Sequence, residues 1–284
     1  VRIRSPGHIP DLFEAGKVSL GALGVMTAFT VKSVPAYRLK RTVTVLDSKV
    51  FLQSLEATAA AHRNFEFYYF PHTGLVASIV HDLTDEPVTV DTGTDDDEFL
   101  QGLLTLRNEL GWAPWLRRYI ARSEFPRGVV EDRVNESRLL LSTTRPTRFI
   151  EMEYHFPRAR GPEMVERVMH TLDKRGEIFF PMEYRHIAPD TAWLSPFNGG
   201  PRASIAIHAA ANERYDYFFT DFEPMYQEAN ARPHWGKLHT LGRNRLTELY
   251  PEFERFLALR SDLDPTGKFL NVHLAKLFGE TVDA

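Results

Sequence analysis

The sequence predicts an α+β fold: a largely antiparallel sheet with helices on one face. Two observations carry this. Runs with two-residue alternation, "RFIEMEYHF", "EIFFPMEYRHI" and "ASIAIHAAA", read as strands. Between the first two lies "GPEMVERVMHTLDKRG", with Pro162 at the first helical position, basic residues in the last turn and Gly176 just past the end. The order strand, helix, strand, strand, helix suits a sheet layered with helices.

The elements follow in chain order. "KVSLGALGVMTAFTVKSV", from Lys17 to Val34, places two glycines before a β-branched run, which predicts a tight turn feeding a strand. "SVPAYRLKRTVTVL" continues extended, with Pro35 at an edge or bend. Asp47 is placed to cap a helix from Ser48 to about His62. "FEFYYFPHTG", from Phe65 to Gly74, reads as a buried aromatic strand ended by Pro71 and Gly74. "DTGTDDDEF" reads as a solvated loop whose last aspartates suit the start of a helix running to Leu110. The Arg- and Trp-rich residues 112–142 show no clear period. Further on, "DFEPMYQEANA" is expected to be helical, and "LTELYPEFERFLALRSDLD" a helix interrupted near Pro251.

The chain has 284 residues, 43% hydrophobic and 25% charged, enough for one large domain or two modest ones. Its net charge of −4 offers no basic field for nucleic acid. The absence of cysteine excludes disulfides, thiolate catalysis and cysteine-ligated metals. It fits a reducing compartment, and the expectation is a cytoplasmic protein, with membrane association left open. No apolar run approaches the ~20 residues of a membrane-spanning helix. The opening "VRIRSPGHIPDLFEAGKVSL" has neither initiator Met nor signal-like apolar region, and reads as the middle of a longer chain.

Several places bear on chemistry. In "EIFFPMEYRHI", Glu183 and Arg185 share one strand face, roughly 6.6–7 Å apart at Cα. They would either hold a hydroxyl-rich substrate or form an ordinary surface ion pair. Glu151 and Glu153 make a similar pair, assigned to the surface because no cation accompanies them locally. His208, in a strand among alanines, is either a hydrogen-bonded structural residue or part of a site, and His72 is equally ambiguous. "SLGALGV" could approach a phosphate or cofactor through its glycines, or be packing alone. "ARPHWGKLH" gathers Arg232, His234 and Lys237 beside a Trp. No metal site is expected, since no zinc-type spacing such as HExxH occurs.

Taken in order, these segments resemble the aldonolactone oxidoreductases of the vanillyl-alcohol-oxidase flavoprotein superfamily, the gulonolactone, galactonolactone and arabinonolactone oxidases or dehydrogenases. "FEFYYFPHTG" is similar to the family's aromatic FWFP-T strand, "MEYRH" to its E-x-R pair, "RPHWGK" to its RPHW-[AG]-K signature and "LDPTGKFLNVHLAKLFG" to its C-terminal DP-x-x-x-F-x-N segment. "SLGALGVMTAFTVKSVPAYRL" looks like the last strand of the FAD-binding domain.

The resemblance implies residues 1–37 as the remnant of an FAD-binding domain and 38–284 as the substrate, or cap, domain with its flavin-contacting C-terminal segment. It implies FAD as cofactor, with a sugar lactone or polyol as substrate and oxygen or another acceptor taking the electrons. Glu183, Arg185 and Lys237 are then catalytic, around the reacting hydroxyl and flavin, and His208 binds substrate. Ser19, Gly21, Ala22, Gly24, Val25, His234 and Asn271 would contact the cofactor. Alditol oxidases, close relatives, carry a Thr where this chain has Ala210, which favours a lactone. The pyrophosphate-binding loop of the family has no counterpart here, so an upstream FAD-binding segment is expected as a partner, and the 284-residue chain alone is expected to hold FAD poorly. A stand-alone sugar-binding or interaction module is the alternative of another class.

Overall fold

The computed structural model describes residues 10–89, 102, 104–105, 107–110, 112–142 and 147–280. Its frame is an eight-stranded sheet: β1 Arg38–Asp47, β2 Asn64–Phe70, β3 Leu75–Thr84, β4 Gly128–Glu136, β5 Phe149–Pro157, β6 Met182–Ile187, β7 Arg202–Ala210 and the two-residue β8 Arg232–Pro233. The spatial order is β4-β1-β3-β2-β6-β7-β5-β8, and all seven pairings are antiparallel. The helices are α1 Pro10–Lys17, α2 Ser48–Ala61, α3 Pro114–Glu124, α4 Ser137–Leu140, α5 Gly161–Lys174, α6 Glu223–Glu228, α7 Arg243–Leu249, α8 Phe253–Leu263 and α9 Val272–Phe278. The α+β class read from the sequence holds.

Local chemistry explains the main elements. Asp47 caps α2, its carboxylate accepting from Lys49 N at 3.1 Å. The β2–β3 hairpin turns through His72 and Gly74, both at positive φ, with the Thr73 hydroxyl donating to Phe70 O at 2.8 Å. In α5, Met164, Val165, Val168, Met169 and Leu172 repeat at helical spacing and are buried. They pack with Phe51 and Leu55 of α2 on Phe65, Phe67, Met182, Tyr184, Ile205 and Tyr154 of the sheet, forming the main core. This is one face of the sheet. At the β1/β3 end of the other face, Val43, Val45, Phe70, Leu75, Ala77, Ile79 and Phe125 form a smaller cluster. Between that cluster and the β8 edge, the second face is polar.

Several expectations need correction. Residues 25–36 are not a strand; they run exposed and pair with no strand among the described residues, which leaves their backbone to solvent. The strand expected over Glu177–Ile187 begins only at Met182, since Pro181 has no N–H to donate and its carbonyl is taken by His208. The helix broken at Pro251 is present as α7 and α8. The residues without a clear period hold α3, β4 and α4, and β3 was not anticipated. The acidic segment 91–99 lies outside the described residues, while residues 107–110 are helical.

The start of α5 lies very close to the sheet. A Cβ on Gly161 would collide with the Tyr184 hydroxyl and stand 2.8 Å from the Ala203 Cβ. Gly161→Ala should therefore destabilise the fold by about 1–3 kcal/mol, the usual range for overpacking. Urea unfolding checks this, and an unchanged midpoint would contradict the close approach.

Candidate functional site

Alternation along four neighbouring strands puts their polar residues on the face away from α2 and α5. Register aligns them across the sheet. Glu66 faces Arg185, Arg185 faces Ser204 and Ser204 faces His155; Glu183 and Glu153 flank Ala206; His208 faces Glu151. The segment after β8 runs along β5, with His234 N donating to Glu153 O at 3.0 Å and Leu238 N to Glu151 O at 3.1 Å. It delivers Lys237 to the same face.

Glu153 is the centre. Its side chain is 1% exposed. Oε1 accepts from Arg185 Nη2 at 2.8 Å and from the Ser204 hydroxyl, and Oε2 accepts from Lys237 Nζ. Burial would raise this carboxyl, but Arg185 and Lys237 outweigh it and hold it well below the usual carboxylate range. Lys237 Nζ also donates to Glu151 Oε1, and Arg185 Nε lies 3.1 Å from Glu183 Oε1. Glu151 is likewise held low: burial opposes this, and His208 and Lys237 prevail. Burial would lower Arg185, yet Glu183, Glu153 and Glu66 together keep its guanidinium above the ordinary value. Glu151 and Glu153, assigned to the surface from sequence, are the structural middle of the cluster.

The histidines can be assigned from their partners. Ser204 spends its hydrogen on Glu153, so His155 Nδ1, 3.0 Å from Ser204 Oγ, donates to it. Burial pushes His155 down to about 3, so the ring is neutral, and its Nε2 has no hydrogen-bond partner among the described residues. His208 Nδ1 lies 2.9 Å from Pro181 O and Nε2 3.3 Å from Glu151 Oε1. Both neighbours are oxygens, so each ring nitrogen faces an acceptor. Phe149 meets the His208 ring edge-on at 5.1 Å. His234 Nδ1 accepts from Gly236 N at 3.1 Å, and burial lowers the ring from its ordinary value.

Glu183, Arg185, Lys237 and His208 are thus brought together, with His234 beside them, its ring 6.0 Å from that of His155. Arg232 is not. It turns inward, donating to Leu249 O at 2.7 Å and Asn198 O at 2.6 Å, with its guanidinium 4.9 Å from the Tyr250 ring. Ser19 to Ala22 form a separate tight turn, with Ser19 and Ala22 buried and Gly21 at φ 77°. Gly24 has φ 126° and open space where a Cβ would stand, and Val25 is exposed. Asn271 is an exposed N-cap of α9, its side-chain oxygen accepting from Leu274 N at 2.8 Å.

Ligand atoms of Glu151, Glu183 and His208 lie within 4.8 Å of one another, as in a three-ligand cation site. Lys237 and Arg185 already engage both carboxylates, so the cluster is a protein-supplied ion network. No helix among the described residues is long and apolar enough to cross a membrane.

The same fold occurs in cholesterol oxidase from Brevibacterium sterolicum, with a TM-score of 0.70 at 13% identity over 95% of this chain and 64% of that one. The profile of the D-arabinono-1,4-lactone oxidase family matches residues 29–277, and the chain belongs to that family. L-gulono-1,4-lactone dehydrogenase of Mycobacterium tuberculosis is 33% identical over 95% of this chain and 64% of its own length. L-gulonolactone oxidase of Bos taurus is 28% identical over 94% of this chain and 63% of its own. The chain therefore spans slightly less than two thirds of these relatives.

The cluster makes stability pH-dependent. A carboxyl held low in the fold contributes stability above its unfolded value, about 4.3, and loses it as the pH falls through its folded value. Glu151→Gln should therefore be less stable than the parent at pH 7, and the difference should shrink as the pH falls below about 4. Urea unfolding between pH 7 and 3 measures it; a gap independent of pH would contradict the ionised, paired Glu151.

Proposed function

We propose that the whole protein is an FAD-dependent oxidoreductase that oxidises an alcohol carbon of a sugar-1,4-lactone, and that this chain supplies its substrate side. The observation that carries the reading is the meeting of Glu183, Arg185 and Lys237 around one buried carboxylate, in a chain of the lactone oxidase family.

The residues present suit the cofactor. Val25, Phe29, Val31 and Val34 are exposed apolar side chains in extended backbone that pairs with no strand among the described residues, as expected of a segment meant to be covered. Gly24, with open space at its Cβ, permits close approach of a ligand to the backbone. Residues 24–34, His234 and Lys237 would lie against FAD. When bound, FAD supplies the acceptor for the hydride that leaves the carbinol carbon.

The protein's own groups handle charge and protons. Arg185, with 37% of its side chain exposed, has surface left to donate to a lactone oxygen after binding Glu153 and Glu183. Lys237, 20% exposed, offers a compact ammonium at the oxygen from which the proton departs. Glu183 provides a carboxylate to receive that proton, and Glu151 with His208 borders the same space. The aromatic rings of Phe149 and Phe180 bound the His208 end, 5.1 and 6.1 Å from its ring.

Lys237→Met keeps most of the stem and removes the charge. In the full-length, FAD-loaded protein it should slow flavin reduction by L-gulono-1,4-lactone roughly 10²–10³-fold, the scale of one lost electrostatic donor. Anaerobic stopped-flow absorbance is the measurement. Reduction at the parental rate would remove Lys237 from the chemistry.

A further inference from the structure

We propose that Glu153 is a positioning residue for this oxidation: its buried carboxylate fixes the Arg185 guanidinium and the Lys237 ammonium side by side. The inference rests on the lactone-oxidation reading above. Two cations on one sheet face repel, and each has long, flexible stems that would carry it towards solvent. Glu183 binds Arg185, and Glu151 binds Lys237. Glu153 holds both, one through each oxygen.

Its own placement is over-determined. The Ser204 hydroxyl donates to Oε1, and neutral His155 donates to Ser204 from below. The strand partner Ala206 is small, leaving the carboxylate room between β5 and β6. At 1% exposure, and ringed by groups that donate to it, Glu153 stays ionised and is in no position to take a proton from substrate. Glu183 is also buried, at 3% exposure, but among the described residues its ion pair is with Arg185, whereas Glu153 answers two cations and a hydroxyl. An amide cannot replace it, because Gln would offer one cation an oxygen and turn its NH₂ towards the other.

The experiment uses full-length, FAD-loaded protein with Glu153→Gln, Glu153→Asp and Lys237→Met as a control. Two quantities are read. One is the rate of flavin reduction by saturating L-gulono-1,4-lactone. The other is acylation of Lys237 by acetic anhydride, followed by peptide mass spectrometry, which needs no turnover. Glu153→Gln should lower the reduction rate roughly 10–100-fold with flavin content retained, and Lys237 should acylate several-fold faster than in the parent. Glu153→Asp keeps the charge one methylene short and should recover part of both.

Parental acylation of Lys237 in Glu153→Gln overturns the inference whatever the rate. Faster acylation with a parental rate overturns the role in the reaction. Should Glu153→Gln fail to fold, Ser204→Ala, which removes one support of Oε1, carries the same two readouts. If Lys237→Met reduces flavin at the parental rate, Lys237 leaves the chemistry and the role of Glu153 in placing it for the reaction is overturned; if the parent protein shows no lactone-driven reduction, the functional reading fails, and acylation then still decides whether Glu153 clamps Lys237.

Discussion

A carboxylate with 1% exposure is tolerable in a folded protein only if its charge is answered from close range, and Glu153 is answered from three directions. Arg185 comes from β6, Lys237 from the loop beyond β8, and Ser204 from β7 between β5 and β6. Each of these elements is held in register partly by the need to keep that contact. Losing either cation would leave the buried charge only partly compensated, which costs more than a surface pair contributes. The register of β5, β6 and β7 and the course of residues 234–238 are therefore coupled through one side chain.

The sheet separates two kinds of physics. On the face under α2 and α5, burial is apolar and non-directional, and aromatic rings from β2, β5 and β6 fill it. Polar groups there are structural: Glu223 accepts from the Tyr154 hydroxyl at 2.5 Å and from Thr240 N at 2.7 Å, tying α6 to the chain leaving the site. On the other face, nearly every contact of the cluster is directional and charged. Residues such as Tyr184 and Arg185, adjacent in sequence, belong to different environments because strand side chains alternate.

The same division splits "RPHWGK". Arg232 and Trp235 face inward, the indole donating to Leu194 O at 2.6 Å, and they anchor the segment. His234 and Lys237 face the cluster. A run of cations and aromatics in one stretch of sequence thus serves two purposes, holding a loop and arming it.

The sequence by itself determined the α+β class, the capped α2, the amphipathic α5, the aromatic β2 and the Glu183–Arg185 face, because these rest on local periodicity and end signals within a few residues. Family motifs singled out Lys237 and His208. Tertiary structure decided the rest. Glu151 and Glu153 looked solvated because their cations stand 32 to 86 residues away, and no local pattern shows which strand will lie beside β5. Of the turn feeding a strand expected over Lys17–Val34, the turn formed but the strand needed a ladder partner, and the strand at Glu177–Ile187 was shortened by a proline whose carbonyl a distant histidine uses. That Asn271 caps a helix through its side-chain oxygen became visible only in the fold. Charge can be read along a chain, but whether it is buried, and what answers it, is fixed only when distant strands are brought into register.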